Sequence, residues 1–316
     1  MTDLHPPADD VRADVLEGLQ AEGQKTVPCK YLYDARGSVL FDEITETKAY
    51  YPTRTEMSIF DRESASIADA VGPRAAVIEL GSGASLKIRK LLDILDEPAA
   101  YVSVEISKEH LAQSAEEAAQ AYPDVEVQAV CADFTRPIEM PEIEADHDSR
   151  LVFFPGSTIG NFTPEGTRAM LARIRELLIS EADAAIVGAD LEKDPSILRE
   201  AYDDPDGVTA AFNLNLLERL NRELGADFDL ASFHHEARYN DQKKRIEMHI
   251  VSDREQTVSV AGHRVRFGAG ETIHTENSHK FTTAKFSALA GEAGLRLDKA
   301  WTDENDLFSV NLLRRA

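Results

Sequence analysis

Cysteine is nearly absent from this chain: Cys29 and Cys131 are the only two in 316 residues. Two thiols so far apart make neither a disulfide framework nor a zinc-ligand spacing, so both read as reduced. Long apolar runs are missing as well, and nothing approaches the roughly eighteen residues a membrane span requires. The first ten residues are acidic and contain proline, where a secretory leader would be basic and then apolar. A cytoplasmic location is the expectation. Basic residues are scarce, with 34 Lys and Arg against 57 Asp and Glu and a formal net charge of −23. Binding to nucleic acid or an anionic membrane depends on clustered Lys and Arg that release counterions, so neither partner is expected. What remains is a small-molecule substrate, with a monomer as the working expectation.

What the chain does have is apolar material, 43% of its residues, enough for one large α/β domain and a smaller partner. Between Ala75 and Asp190 short apolar runs alternate with amphipathic stretches, the pattern of a parallel sheet with crossover helices. The spacing predicts strands at Ala75–Leu80, Ala100–Val104, Val125–Val130, Leu151–Phe154 and Ala184–Gly188. Helices are predicted at Leu86–Leu95, Lys108–Ala121 and Pro164–Ile179. After Lys280 the pattern resumes with a helix at Thr283–Ala293 and a terminal hairpin made of Arg296–Trp301 and Leu307–Leu313. The intervening stretch carries a helix (Val208–Leu224), an aromatic-polar loop, and alternating segments at Arg245–Val251 and Thr257–Phe267. Residues 61–191 and 280–316 are thus expected to form a cofactor domain. Residues 1–60 and 192–279 are expected to form a substrate-binding lobe.

The run Val77-Ile78-Glu79-Leu80-Gly81-Ser82-Gly83-Ala84-Ser85 sets an acidic residue inside an apolar strand and follows it with Gly-x-Gly at the turn into a helix. Such a turn lets a ligand approach the backbone closely, although a ligand-free connection uses the same residues. A nicotinamide-binding loop wants a third glycine where this chain has Leu86, which counts against a dehydrogenase. The Glu-x-Gly-x-Gly form resembles motif I of class I methyltransferases, a resemblance that implies a sulfonium cofactor with an amino-acid tail, which Glu79, Gly81 and Gly83 suit. Ligands of open α/β sheets sit beyond the carboxyl ends of the strands, and two more acidic residues lie there. Glu105 closes the second strand, where a carboxylate accepts from ribose hydroxyls. Asp133 and Phe134 follow the third, where an Asp beside an aromatic ring suits an adenine.

These residues carry a resemblance that runs from about Lys30 to Leu313. The matching stretches are Tyr31-Leu32-Tyr33-Asp34, Tyr50-Tyr51-Pro52-Thr53-Arg54-Thr55-Glu56, Glu79-Leu80-Gly81-Ser82-Gly83, Gly156-Ser157-Thr158-Ile159-Gly160-Asn161, Ala201-Tyr202-Asp203-Asp204, Arg245-Ile246-Glu247-Met248 and Glu276-Asn277-Ser278-His279-Lys280-Phe281. The sequence resembles the histidine Nα-methyltransferases of ergothioneine biosynthesis, and the Tyr-Tyr-Pro-Thr-Arg and Gly-Ser-Thr-Ile-Gly-Asn strings are shared with their fungal aromatic-amino-acid relatives. The resemblance implies a class I methyltransferase, a Rossmann-like α/β sheet with a second substrate-binding lobe, using S-adenosylmethionine to trimethylate free histidine to hercynine. It puts Gly81, Lys87, Asp133 and Phe134 on the cofactor. Tyr50, Gly156, Asn161 and Tyr202 fall around the substrate's amino-acid backbone, and Glu276 and Ser278 at its imidazole. Family members often carry Asp where this chain has Glu105; the carboxylate is kept and only the geometry of the contact changes.

Methyl transfer from a sulfonium is an in-line displacement, so positioning dominates and each attack needs an amine that has lost its proton. The hydroxyls of Tyr33 and Tyr50 can aim the amine's lone pair, and their rings can hold methylated ammonium products by cation–π attraction. Asn161 offers amide donors to a carboxylate. Glu276 can accept from an imidazole N–H while Ser278 serves the other ring nitrogen. Glu276 and Met248 argue against tryptophan as substrate, because an indole leaves a buried Glu–Ser pair unsatisfied. A non-catalytic cofactor-binding protein would be expected to show a broken glycine loop, which this chain does not. His274 and His279 flank Glu276, but two histidines around an irregular turn read as structural or solvated, and no metal is assigned.

Overall fold

Parallel strands buried on both faces are apolar over most of their length, and Ala75–Leu80 and Ala100–Glu105 are buried at every position. In the computed structural model, which describes residues 2–4, 8–83 and 86–316, these runs and their neighbours form one eight-stranded sheet. Its order is Thr2–Asp3, Glu126–Cys131, Ala100–Glu105, Ala75–Leu80, Ser149–Phe154, Ala184–Asp190, Phe308–Arg315 and Leu295–Thr302. The chain starts at Ala75–Leu80 in the middle, builds outward through Ala100–Glu105 and Glu126–Cys131, then returns to place Ser149–Phe154 on the other side. That reversal opens a crevice at the carboxyl ends of the strands, the usual ligand position in such sheets. The terminal hairpin closes the sheet, with Phe308–Arg315 running antiparallel to Ala184–Asp190.

Alternation along the strands sends side chains to two cores. Ile78, Val102 and Val152 pack with Met170, Leu171 and Ile174 of helix Pro164–Leu177 and with Phe286 of helix Thr283–Glu292. Val77, Tyr101 and Phe153 pack on the opposite face with Ile59, Phe60, Ile67, Ile88 and Leu91. Helix Pro164–Leu177 starts where it does because Thr163 accepts from the Gly166 N–H at 3.1 Å and proline fills its first turn.

The chain divides into two compact units, and this sheet belongs to the one built on Pro52–Glu192 and His279–Ala316. Helix Tyr51–Arg62 goes with it, since Ile59 and Phe60 sit in its core, so the arm gives up its last residues to the sheet instead of running to residue 60. Thr2–Asp3 is likewise a sheet strand, paired with Val130 and Cys131.

The other unit comprises Pro6–Tyr51 and Lys193–Ser278. Its sheet runs Lys25–Thr26, Thr272–His279, Arg245–Ser252 and Phe233–Asn240. Helix Val208–Leu224 buries Phe212, Leu216, Leu217 and Leu220 at helical spacing and ends at Gly225 in the left-handed region. Three expectations are corrected here. Phe233–Asn240, expected as loop, is a strand. Thr257–Phe267 is two strands, Gln256–Val260 and His263–Phe267, reversing at Ala261 and Gly262, both at positive φ. The turn expected around His274 to His279 is the strand Thr272–His279, held to its helix by the Thr275 hydroxyl donating to Asn213 Oδ1 at 2.7 Å.

Among the described residues no helix is long and apolar enough to cross a membrane. Lys280 and Asp190 have no exposed side-chain surface and pair at 2.7 Å inside the sheet unit. Removing one member of such a pair strands the other charge and costs about 3–5 kcal/mol, whereas an apolar pair of similar volume is far milder. Lys280→Met should therefore lose about that much stability in denaturant unfolding, with Lys280→Met/Asp190→Leu recovering a clear part; equal losses would contradict it.

Candidate active site

At the end of strand Ala75–Leu80 the backbone turns through Gly81 at φ +77°, and Gly81 and Ser82 donate to the Val104 carbonyl at 2.8 and 3.3 Å. A Cβ at Gly81 would lie 3.2 Å from the Phe134 ring, so glycine keeps the backbone open beside that ring. Phe134 in turn meets Phe154 edge-on at 5.7 Å. The Gly83 carbonyl meets His110 Nε2 at 2.7 Å; Ala84 and Ser85 of the same motif lie outside the described residues. The Ser82 hydroxyl is buried without a hydrogen-bond partner.

The acidic residues at this edge are buried and differently satisfied. Tyr101 donates its hydroxyl to Glu79 Oε2 at 2.6 Å. Burial pushes the Glu79 carboxyl up to about 8, against the pull of Tyr101 and the Lys87 charge. Glu105 Oε1 accepts from the Ile106 and Ser107 N–H groups at 2.7 and 3.1 Å. Asp133 Oδ1 accepts from Thr135 through its N–H at 3.0 Å and its hydroxyl at 2.5 Å.

One more acidic residue, the last of the Tyr-Tyr-Pro-Thr-Arg-Thr-Glu stretch, joins this edge. Glu56, fully buried on helix Tyr51–Arg62, pairs with Lys87 Nζ at 2.8 Å. Both its carboxylate oxygens lie 3.1 Å from the Gly156 nitrogen, which donates to them. The signal was available: Glu56 precedes Ile59 and Phe60 by three and four residues, on the buried stripe of its helix. Gly156 itself is at φ +75°, and a Cβ there would lie 2.9 Å from Lys87 Nζ. The turn continues through Thr158–Asn161, and a Cβ at Gly160 would lie 2.8 Å from the His279 carbonyl oxygen. Lys87, Gly156 and Asn161 thus share the sheet unit with Glu79, Gly81, Glu105, Asp133 and Phe134.

Tyr33, Tyr50, Tyr202, Met248, Glu276 and Ser278 all lie in the other unit. Tyr33 packs edge-on against Phe41 at 5.6 Å and Phe212 at 5.4 Å, and Tyr50 against Phe41 at 6.2 Å and Tyr202 at 6.0 Å. Glu276 and Ser278 are two apart on one strand and so share a face; both are buried. The Tyr202 hydroxyl and Ser278 Oγ are hydrogen-bonded at 2.7 Å. Met248, on a strand of the same sheet, is 1% exposed, and its carbonyl oxygen lies 3.1 Å from the Thr275 hydroxyl oxygen. Burial, then the charge of Glu276, holds the Tyr33 phenol far above its ordinary range and pushes Cys29 up to about 12. Tyr33 is therefore a neutral phenol across the physiological range, able to hydrogen-bond but not to act as a phenolate. His274 stacks on His249 at 4.8 Å and meets the Glu276 carbonyl through Nε2 at 3.0 Å. Burial holds both histidines below their usual value, His249 at about 4.

The raised acid predicts a pH dependence. Between the ordinary glutamate value of 4.5 and the folded value of about 8, the native protein holds one more proton than the unfolded chain. Stability from this group is complete below the lower value and falls by up to about 1.4 kcal/mol per pH unit as pH rises toward the upper one. Glu79→Gln should flatten the fall in unfolding free energy measured from pH 5 to pH 8; an unchanged slope would show that the carboxyl is ionised in the free protein.

The whole arrangement has relatives. The family profile described as "Histidine-specific methyltransferase, SAM-dependent" matches residues 11–315. A histidine N-alpha-methyltransferase of Mycolicibacterium smegmatis is 42% identical over 98% of this chain and 96% of its own length. Its counterpart in Mycobacterium tuberculosis is 42% identical over 96% and 94%. An ergothioneine biosynthesis protein of Neurospora crassa is 26% identical over 93% of this chain, which spans 34% of that longer protein. With a profile match over nearly its full length and two relatives at this identity, the chain belongs to the family of SAM-dependent, histidine-specific methyltransferases.

Proposed function

We propose that this protein methylates the α-amine of free histidine three times in succession, giving hercynine for ergothioneine synthesis. The observation that carries the choice of substrate is the buried pair Glu276 and Ser278 on one strand face, with Ser278 held by Tyr202 at 2.7 Å. A carboxylate and a hydroxyl side by side match the two nitrogens of an imidazole, one donating and one accepting. An indole offers a single N–H and would leave one of them unpaired in a buried place, which costs selectivity heavily.

The sheet edge fits S-adenosylmethionine. Gly81 leaves space beside Phe134 that a side chain would fill, and the buried Ser82 hydroxyl has no partner in the protein. Phe134 suits the adenine face, with Asp133 for its amine and Glu105 for the ribose, one oxygen of Glu105 being fixed already by two N–H groups. Lys87 suits the carboxylate of the amino-acid tail, and Glu79 and the Gly83 backbone line the glycine turn. When bound, the cofactor supplies a methyl group activated by its sulfonium. Everything else is positioning and proton handling by this chain.

An α-amine has a reference pKa near 8, so a proton must leave before each attack. Tyr33, kept a neutral phenol, orients the amine; it does not remove the proton. Tyr50 shares this role with Tyr202 in its own unit; of the sheet unit, Gly156 and Asn161 are assigned to the substrate. The rings of Tyr33, Tyr50 and Tyr202 retain the increasingly methylated ammonium by cation–π attraction, which favours successive rounds on one substrate. A small free amino acid as substrate and two cysteines that remain free thiols are in keeping with a cytoplasmic enzyme.

Losing the Glu276 carboxylate removes a charge-assisted hydrogen bond worth about 1.5–3 kcal/mol, or roughly ten- to a hundredfold in affinity. Glu276→Ala should raise KM for histidine by that order, leave S-adenosylhomocysteine affinity within about twofold, and shift the ratio of kcat/KM for histidine over tryptophan toward tryptophan. An unchanged ratio would mean these residues do not read the ring.

A further inference from the structure

Glu56 has no exposed surface and lies one turn before the apolar core residues Ile59 and Phe60 of its helix. A carboxylate removed from water persists only when paired and hydrogen-bonded. Its oxygens meet Lys87 Nζ at 2.8 Å and the Gly156 N–H at 3.1 Å. The surroundings are shaped to admit it. Gly188, in the middle of strand Ala184–Asp190, has no side chain where one would strike Glu56 and lie 3.1 Å from the Gly156 nitrogen. Gly156 likewise has no side chain where one would lie 2.9 Å from Lys87 Nζ. Three chain segments, those of Lys87, Gly156 and Gly188, are thereby built around one carboxylate.

The two groups that Glu56 holds have different assignments. Lys87 belongs to the cofactor and Gly156 opens the turn that ends in Asn161 on the substrate, as proposed above, and the present inference rests on that assignment. An ammonium has three N–H donors and Glu56 takes one, leaving two for a cofactor carboxylate. We infer that Glu56 is a positioning residue that couples cofactor binding to substrate binding, by fixing the Lys87 ammonium and the Gly156 turn to one carboxylate. Filling the cofactor side draws on Lys87 and narrows the positions open to Glu56. That in turn narrows those open to the Gly156 turn, so the second ligand meets an already ordered partner. The coupling is reciprocal, since each ligand must change the other's affinity by the same factor.

Titration calorimetry with S-adenosylhomocysteine, with and without saturating histidine, reads this directly. The wild-type protein should bind S-adenosylhomocysteine about fivefold or more tightly when histidine is present. Glu56→Gln keeps an oxygen for the Gly156 N–H but loses the ion pair, and it should bring that ratio close to one while both ligands still bind. A wild-type ratio of one, or a variant that keeps the wild-type ratio, overturns the inference. Wild-type protein that binds neither ligand overturns the underlying assignment of function instead. Hydrogen exchange on the wild-type protein supplies an arm that does not depend on the variant folding: S-adenosylhomocysteine alone should slow exchange at the Gly156 amide. An amide that exchanges at the same rate with and without it also overturns the inference.

Discussion

Burying acidic side chains at the carboxyl edge of an apolar sheet is the constraint on which this protein is organised. Glu56, Glu79, Glu105, Asp133 and Asp190 are all buried there. An isolated carboxylate in such surroundings is prohibitively unfavourable, so each needs its own solution. Glu56 and Asp190 take lysines, Lys87 and Lys280. Glu105 and Asp133 take backbone N–H groups of the residues that follow them. Glu79 takes a tyrosine hydroxyl and a proton. The result is an edge rich in oxygen acceptors and held rigidly, suited to a ligand that brings a sulfonium, an ammonium and ribose hydroxyls.

The other unit answers a different need with different residues. Its rings, Tyr33, Phe41, Tyr50, Tyr202 and Phe212, form a connected series of edge-on contacts. Into this apolar setting it places one carboxylate and one hydroxyl, on alternate residues of a strand. For the methyl transfer proposed above, in which the amine must be aimed at the methyl carbon, an aromatic wall with neutral hydroxyls supplies the aiming. The high proton affinity of Tyr33 belongs to this arrangement, since it keeps the hydroxyl neutral beside Glu276.

Much of this was legible in the sequence because the sheet is built from apolar runs bounded by turn residues. Ala75–Leu80 and the helix Val208–Leu224 stand where hydropathy places them, ends included. The reading failed where burial is achieved by polar residues. Thr272–His279 has the composition of a loop, yet its polar side chains are buried by bonding to side chains of helices, as Thr275 does to Asn213 and Ser278 to Tyr202. Phe233–Asn240 was hidden similarly, because its buried face carries His235, whose ring meets the Tyr202 carbonyl at 2.8 Å. Glycine signals were clear at Gly81, whose motif is local, and silent at Gly188, whose missing side chain makes room for a residue far away in sequence. Long-range satisfaction of buried charge leaves little local trace: the helix stripe marks Glu56 as buried, but its partners Lys87 and Gly156 appear only in the structure.

The central claim is that this site selects free histidine and methylates its α-amine to completion. Mass spectrometry of each common amino acid, incubated singly with the protein and S-adenosylmethionine, tests it most directly. The account predicts that histidine alone acquires methyl groups efficiently, that the trimethylated species accumulates, and that fragmentation places all three on the α-nitrogen. Faster methylation of another amino acid, or methyl groups on the imidazole ring, would contradict it.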